Sequence, residues 1–192
     1  VDNLITGRHS TLFNSKKNNK LKFYICDLSL KNSLNFLKNV NIVVHCASLT
    51  NAEKSFGEKK EMYRNNINCL KTIISFCKKN NSKLIHISST SVYGKQTKIV
   101  YEDSGNKFLN PQSPYAKIKI IEERILKKER KKIKFNTFRF GTIAGVSKGI
   151  RFHTAVNKFC FNASLNQPIN VYKTALNKYR QYLSLNDVFK VF

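Results

Sequence analysis

Short apolar stretches rich in Ile, Val and Phe alternate along this chain with longer segments whose apolar residues recur every three or four positions. Residues 23–26, 42–47, 84–88 and 136–140 are of the first kind. Each is bounded by polar or turn-forming residues, the pattern of strands buried on both faces. Residues 30–38, 58–80 and 114–131 are of the second kind, with Leu70, Ile73, Ile74 and Cys77 marking one helical face. Strand and helix in alternation predict an α/β fold, a doubly wound parallel sheet whose ligands bind beyond the carboxyl ends of the strands. After Gly145 the pattern weakens into a helical-looking stretch, 154–165, and a short extended piece, 168–172. This predicts a main domain over 1–150, with 151–192 beginning a second lobe and returning to the first.

Composition narrows the class. At 192 residues and 41% hydrophobic content the chain can bury the core of one domain. No run approaches the roughly 18 to 20 apolar residues that span a bilayer, and residues 1–10 lack a leader pattern, so a soluble cytoplasmic protein without a membrane partner is expected. The formal charge of +24 raises a polyanion partner. The lysines are scattered, however, and accompany abundant Asn, Ile and Phe, as AT-rich coding sequences give. Neither a nucleic-acid-binding motif nor a basic stripe with interleaved aromatics is present, so no specific nucleic acid is expected. The positive field suits a diphosphate substrate equally well. Cys26, Cys46, Cys69, Cys77 and Cys160 form neither a C-x-x-C pair nor a Cys/His cluster of zinc-ligand spacing, which predicts reduced, mostly buried thiols and no metal.

The candidate chemistry follows the strands. Ser113-Pro114-Tyr115-Ala116-Lys117-Ile118-Lys119 puts Pro at a first helical position, with Tyr115 and Lys119 four apart on one face. A Tyr acting as a base near neutral pH needs help in losing its phenolic proton, and an adjacent ammonium supplies it. In a lysine-rich chain that spacing also arises by chance. The strand over 84–88 runs into Ser88-Ser89-Thr90-Ser91-Val92-Tyr93-Gly94, which places hydroxyls at a strand's carboxyl end.

Taken together, these segments resemble the extended short-chain dehydrogenase/reductases of the NAD-dependent epimerase/dehydratase type, UDP-glucose 4-epimerases among them. That family carries S-S-x-x-V-Y-G, then Y-x-x-x-K with an acid four residues on, here Glu123. The resemblance implies a Rossmann-like fold binding NAD, Ser89 bonded to the reacting sugar hydroxyl, Tyr115 as acid/base, and Lys119 on the nicotinamide ribose. It makes Asp2 and Asn3, in Val1-Asp2-Asn3-Leu4-Ile5-Thr6-Gly7, contacts of the adenosine ribose, where a carboxylate favours NAD over NADP. Asp27 and Leu28 would lie beside the adenine, and His45 and Ala47 would line the pyrophosphate and nicotinamide. Asn66 matches a buried Asn of the next helix. Each has a plain alternative: a core histidine for His45, a helix N-cap for Asp27, a surface residue for Asn66.

Arg139-Phe140-Gly141-Thr142-Ile143-Ala144-Gly145 is similar to the family's R-x-x-N-x-x-G, with Thr142 where many sugar epimerases have a substrate-contacting Asn. Substrate contacts by resemblance are Ser89, Thr90, Thr142, Asn157 and Arg180. Arg180, heading Arg180-Gln181-Tyr182-Leu183-Ser184-Leu185-Asn186-Asp187, has the guanidinium fork suited to a diphosphate oxygen. The glycine-rich turn and first strand of the family would precede Val1, and its remaining substrate lobe would follow Phe192, so the resemblance implies a partial Rossmann domain, truncated at both ends. Three readings stay open: a nucleotide-sugar epimerase, a sugar reductase or dehydrogenase of the same family, and an inactive basic fragment that binds polyanions nonspecifically. A dehydratase is disfavoured because Thr90 and Ser91 stand where those enzymes carry Asp-Glu. Homodimers are common in the family.

Overall fold

Three of the four predicted strands form one sheet in the order β1-β2-β3, with β1 at Ile42–His45, β2 at Lys83–Ser89 and β3 at Phe135–Phe140. The pair β1 and β2 runs parallel, Ile42 opposite Lys83 and His45 opposite His86. The computed structural model describes residues 1–7, 11–12, 20–52, 54–152, 154–176 and 179–192. They fall into two units, Val1–Ile5 with Lys17–Arg139, and Thr6–Lys16 with Phe140–Phe192.

In the first unit, helices α1 (Lys59–Asn80) and α2 (Pro114–Glu129) carry the predicted apolar faces. Leu70, Ile73 and Cys77 of α1 join Leu84 of β2 and Leu126 of α2 in one core that also takes in Leu28 and Leu34. The start of α2 is fixed by local chemistry. The Ser113 hydroxyl accepts from the Ala116 amide at 3.2 Å and Pro114 supplies the first-turn φ. The other end of α1 closes on Asn81 in the left-handed region (φ 53°), with the Ser82 amide donating to the Cys77 carbonyl.

Three expectations are corrected. Residues 23–26 make only an isolated parallel bridge, Ile25 to Asp2, rather than a strand. Residues 30–38 are a run of turns and not a helix. Asn32 sits at φ 60°, outside the helical region, and the bonds there are of the tight i to i+3 kind, such as Asn35 to Asn32. The apolar spacing is real, because Leu34 is buried against α1, but turns suffice to bury it. Two of the five cysteines, Cys69 and Cys77, are buried; Cys26 is half-buried, and Cys46 and Cys160 are exposed.

The second unit has its own two-stranded parallel sheet, β4 (Thr142–Ala144) with β5 (Tyr182–Ser184), and two helices, α3 (Ala155–Ser164) and α4 (Leu185–Val191). A Cβ on Gly141 would lie 2.7 Å from the Gln181 carbonyl oxygen, so only glycine lets the chain enter β4 this close to β5. α3 matches its predicted span to within a residue, and 168–172 leads into a short 3-10 turn, Lys173–Ala175. α4 begins at Ser184, whose hydroxyl accepts from the Asp187 amide. Among the described residues, no helix is long and apolar enough to cross a membrane.

Candidate active site

The strand-to-helix arrangement of the first unit converges on α2. Tyr115 and Lys119 lie one turn apart, with the Lys119 ammonium 5.8 Å from the Tyr115 ring centroid. Lys117 between them is exposed, as the helical period requires. Tyr115 is half-buried and its amide donates to the buried Ser55 hydroxyl at 3.4 Å.

Two acids that follow Lys119 tie α2 to the sheet. Glu123 accepts from the Ser88 hydroxyl at 2.5 Å and from one edge of the Arg139 guanidinium, Nε at 2.9 Å and Nη2 at 2.5 Å. Arg139 also donates to the Tyr93 hydroxyl at 2.7 Å. One arginine on β3 thus links α2, the end of β2 and the turn beyond it. Burial would raise the Glu123 carboxyl, but the Arg139 and Ser88 hydrogen bonds outweigh it and hold the group below the usual carboxylate range.

Ser89, next to Ser88, begins a 3-10 turn over Thr90–Val92 by accepting from the Ser91 amide at 3.2 Å. That contact uses an oxygen lone pair and leaves the hydroxyl proton as a donor. Thr90 is half-buried on the same turn. Gly94 closes it at φ 60°, where a Cβ would lie 1.8 Å from the Asn110 carbonyl oxygen, so the glycine of the sequence pattern is sterically required.

Around the same end of the sheet, His45 is buried with neither ring nitrogen partnered among the described residues. Burial first, and then the Lys119 charge, push it down to about 3, so it is neutral at physiological pH. Ala47 is half-buried and packs on the core. Asn66 is fully buried: its carbonyl accepts from the Leu49 amide at 2.8 Å and its amide donates to the Leu49 carbonyl at 3.1 Å. The surface reading of Asn66 is thereby corrected, since the side chain acts as a strand partner for the loop after β1. Asp2 is exposed, its carboxylate accepting from the Leu4 amide at 2.7 Å, and Asn3 does the same for Ile5. Asp27 caps the turn that follows it, accepting from Ser29 at 2.8 Å, and the Leu28 side chain belongs to the core.

In the second unit Thr142 opens β4 with its amide donating to the Gln181 carbonyl at 2.9 Å, and Arg180 is exposed just before. Asn157 is buried on α3. Its carbonyl accepts from the Gly145 amide and its amide donates to the Arg151 carbonyl at 3.1 Å, so the side chain is engaged in holding the loop between β4 and α3. A cleft of about 240 Å³ between Ala144–Val146 and Ser184–Asn186 lies at the carboxyl ends of β4 and β5. A wider depression of about 500 Å³, lined by Lys83, Arg130 and Lys134, lies at the start of β2 and β3, remote from Tyr115 and Ser89.

Two residues that sequence reasoning passed over are central. Glu122 and His86, both fully buried, are bonded to each other at 3.0 Å, and Glu122 also receives the Lys119 ammonium at 2.7 Å. The signal was an acid three residues after Lys119 and a histidine inside an otherwise apolar strand. No group of three or more His, Cys, Asp or Glu among the described residues is placed to hold a metal.

Residues 2–192 match the model of the NAD dependent epimerase/dehydratase family. The UDP-N-acetylglucosamine 4-epimerase of Methanobrevibacter ruminantium, solved with UDP-N-acetylmuramic acid, superposes with a TM-score of 0.86 at 25% identity, covering 98% of this chain and 61% of that one. The dTDP-D-glucose 4,6-dehydratase of Dictyostelium discoideum is 26% identical over 89% of this chain and 42% of its own length. A UDP-glucose 4-epimerase of Yersinia enterocolitica is 29% identical over 66% of this chain and 39% of its own. The chain therefore spans 39 to 61% of the length of these relatives, with parallel sheets and flanking helices of the Rossmann type. It belongs to the NAD-dependent epimerase/dehydratase family.

Proposed function

We propose that the intact protein is a nucleotide-sugar 4-epimerase that uses bound NAD, with Tyr115 as its acid/base. The observation that carries this is the pairing of Tyr115 with Lys119 on α2, held by the Glu123–Ser88 bond against the strand end that bears Ser89. Residues 1–150 form the cofactor-binding part and 151–192 begin the sugar-binding part.

The residues present fit NAD. His45 offers buried, unpartnered ring nitrogens near Lys119, and Asp2 presents an exposed carboxylate for ribose hydroxyls, which disfavours a 2′-phosphate by charge repulsion. Asn3, Asp27, Leu28, Ala47 and Asn66 complete the proposed cofactor side. When bound, NAD would supply reversible hydride transfer at the sugar carbon, the redox chemistry that the protein's own side chains lack.

The chain's own task is proton handling. Tyr115 removes the proton from the sugar hydroxyl as the hydride departs and gives it back on return, Lys119 stabilising the phenolate. The Ser89 hydroxyl proton, free of the turn contact, hydrogen-bonds the reacting oxygen, with Thr90 beside it. Thr142 and Arg180 are assigned to the nucleotide sugar, Arg180 through its exposed guanidinium on the diphosphate, and Asn157 serves that side by holding the loop between β4 and α3.

Thr142 favours a second reading, a sugar reductase or dehydrogenase, because many epimerases hold the sugar there through Asn. Thr90 and Ser91 argue against water elimination, which needs an acid and a base at that strand end. A test is to supply UDP-glucose, UDP-N-acetylglucosamine and dTDP-glucose to the intact protein and to a Tyr115→Phe variant. Epimer formation with no net cofactor reduction, lost in the variant, is expected; stoichiometric NAD reduction would favour the second reading.

A further inference from the structure

Lys119 has a partner besides Tyr115. Its ammonium is 2.7 Å from Glu122 Oε2 and 3.4 Å from the Ser48 hydroxyl, and the side chain is nearly inaccessible to water. The same carboxylate oxygen receives His86 Nε2 at 3.0 Å, and the other His86 nitrogen lies 3.4 Å from the Thr137 hydroxyl. A line of polar groups therefore runs through the core from Thr137 on β3 through His86 on β2 and Glu122 to Lys119. Oε1 of Glu122 has no partner among the described residues.

From this geometry, and resting on the acid/base reading of Tyr115, we infer that Glu122 is a positioning residue, anchored by His86, that holds the Lys119 ammonium and sets the pH at which the Tyr115–Lys119 pair gives up its first proton. An ammonium this deeply buried is retained only with a countercharge, and among the described residues Glu122 is the one carboxylate within bonding distance of it. A carboxylate at that distance also opposes proton loss from the pair, whichever of the two releases it, because the departing proton leaves behind one negative charge more. Glu122 thus preserves the Lys119 charge and tempers its effect on the phenol.

The groups facing this pair from neighbouring elements leave that sign unchanged. On β1, His45 is neutral, and Cys46 follows it. On β2 stands His86. On α1 the Cys69 thiol is pushed up to about 12, by burial first and then by Asp27 and Glu122, so it carries no charge. Glu122 itself stays ionised, since the His86 hydrogen bond and the Lys119 charge outweigh burial and hold its carboxyl below the usual range.

The test is an NMR titration of the Tyr115 ring carbon that bears the hydroxyl, in the intact protein without added NAD, the signal being assigned by its loss in Tyr115→Phe. This shift senses ionisation of Tyr115 or of Lys119 beside it. Glu122→Gln is expected to lower the midpoint by about one pH unit or more, and Glu122→Asp, which keeps the charge, to leave it near the wild-type value. A double variant, Glu122→Met with His86→Leu, removes the carboxylate and its donor together without orphaning the imidazole, and is expected to move the midpoint the same way. A midpoint unmoved in folded Glu122→Gln and in the double variant overturns the inference. Full turnover by Tyr115→Phe would instead sink the acid/base reading, so the two failures are distinct.

Discussion

At the residue scale, the consequences of burial are sharpest at His45. It is neutral in the folded protein, with its pKa lowered to about 3, whereas an unfolded histidine titrates near 6.5. The unfolded state therefore binds a proton first as the pH falls. The stability this imidazole contributes is complete above about 6.5 and is lost progressively between there and about 3, by up to about 1.4 kcal/mol per pH unit. Urea unfolding at pH 7.5, 5.5 and 4.5, all values set by that window, should show a slope in the wild type that His45→Asn flattens. Parallel slopes in the two proteins would mean that His45 is solvated. Tyr115→Phe belongs to the same scale. It removes one hydroxyl and is expected to lower turnover by about 10²–10⁴-fold while leaving NAD affinity within a few-fold, as measured by calorimetry beside steady-state rates.

At the scale of elements, the position of α2 depends on how few contacts lock it to the sheet. Glu123 meets Ser88 on β2 and Arg139 on β3, and Arg139 reaches on to Tyr93 in the turn that carries Ser89 and Thr90. Glu123→Ala is expected to destabilise by about 2 kcal/mol, between the values for exposed and buried pairs, because it leaves a half-buried guanidinium unmatched. It should also raise KM more than a core truncation of equal cost, such as one at Ile73. Chemical unfolding and kinetics on both variants decide it, and equal KM values would show the clamp to be structural only. Since the folded Glu123 carboxyl is depressed, its contribution is present above the ordinary carboxylate range and disappears as the pH falls through the lower folded value.

The same elements show what could be read in advance. β2 and α2 were legible because strict signals bound them, a continuous apolar strand ending in serines and a Ser-Pro helix start. Residues 30–38 were misread because an apolar spacing of three or four is satisfied equally by successive tight turns, and Asn32 at positive φ decides between them only in three dimensions. β5 and α4 escaped notice: three residues of strand running directly into two turns of helix carry too short a period to register. Glu122 was hidden by Glu123. Adjacent acids on a helix point about 100° apart, and only the fold shows that one faces Arg139 while the other enters the core to meet His86.

At the scale of the whole molecule, the +24 charge is the feature that most invites a different reading, yet the acids that remain are used with economy of position. Glu122 and Glu123 serve the candidate site, Asp27 caps a turn, Asp187 accepts from the Ser184 hydroxyl that caps α4, and Glu129 pairs with Lys78 across α1 and α2. A scattered cationic surface of this kind predicts salt-sensitive retention on any polyanion without a sequence preference, to be checked by binding to unrelated nucleic acids at rising ionic strength. A strong preference for one sequence would contradict it.

Epimerisation through Tyr115 is tested most directly by an NMR time course of the intact protein with catalytic NAD and a UDP-sugar, UDP-glucose and UDP-N-acetylglucosamine in turn, beside Tyr115→Phe. One of them is expected to be converted to its 4-epimer with no accumulation of reduced cofactor, and the variant to be silent. Stoichiometric oxidation of the sugar, formation of a 4-keto-6-deoxy product, or undiminished turnover in Tyr115→Phe would contradict it.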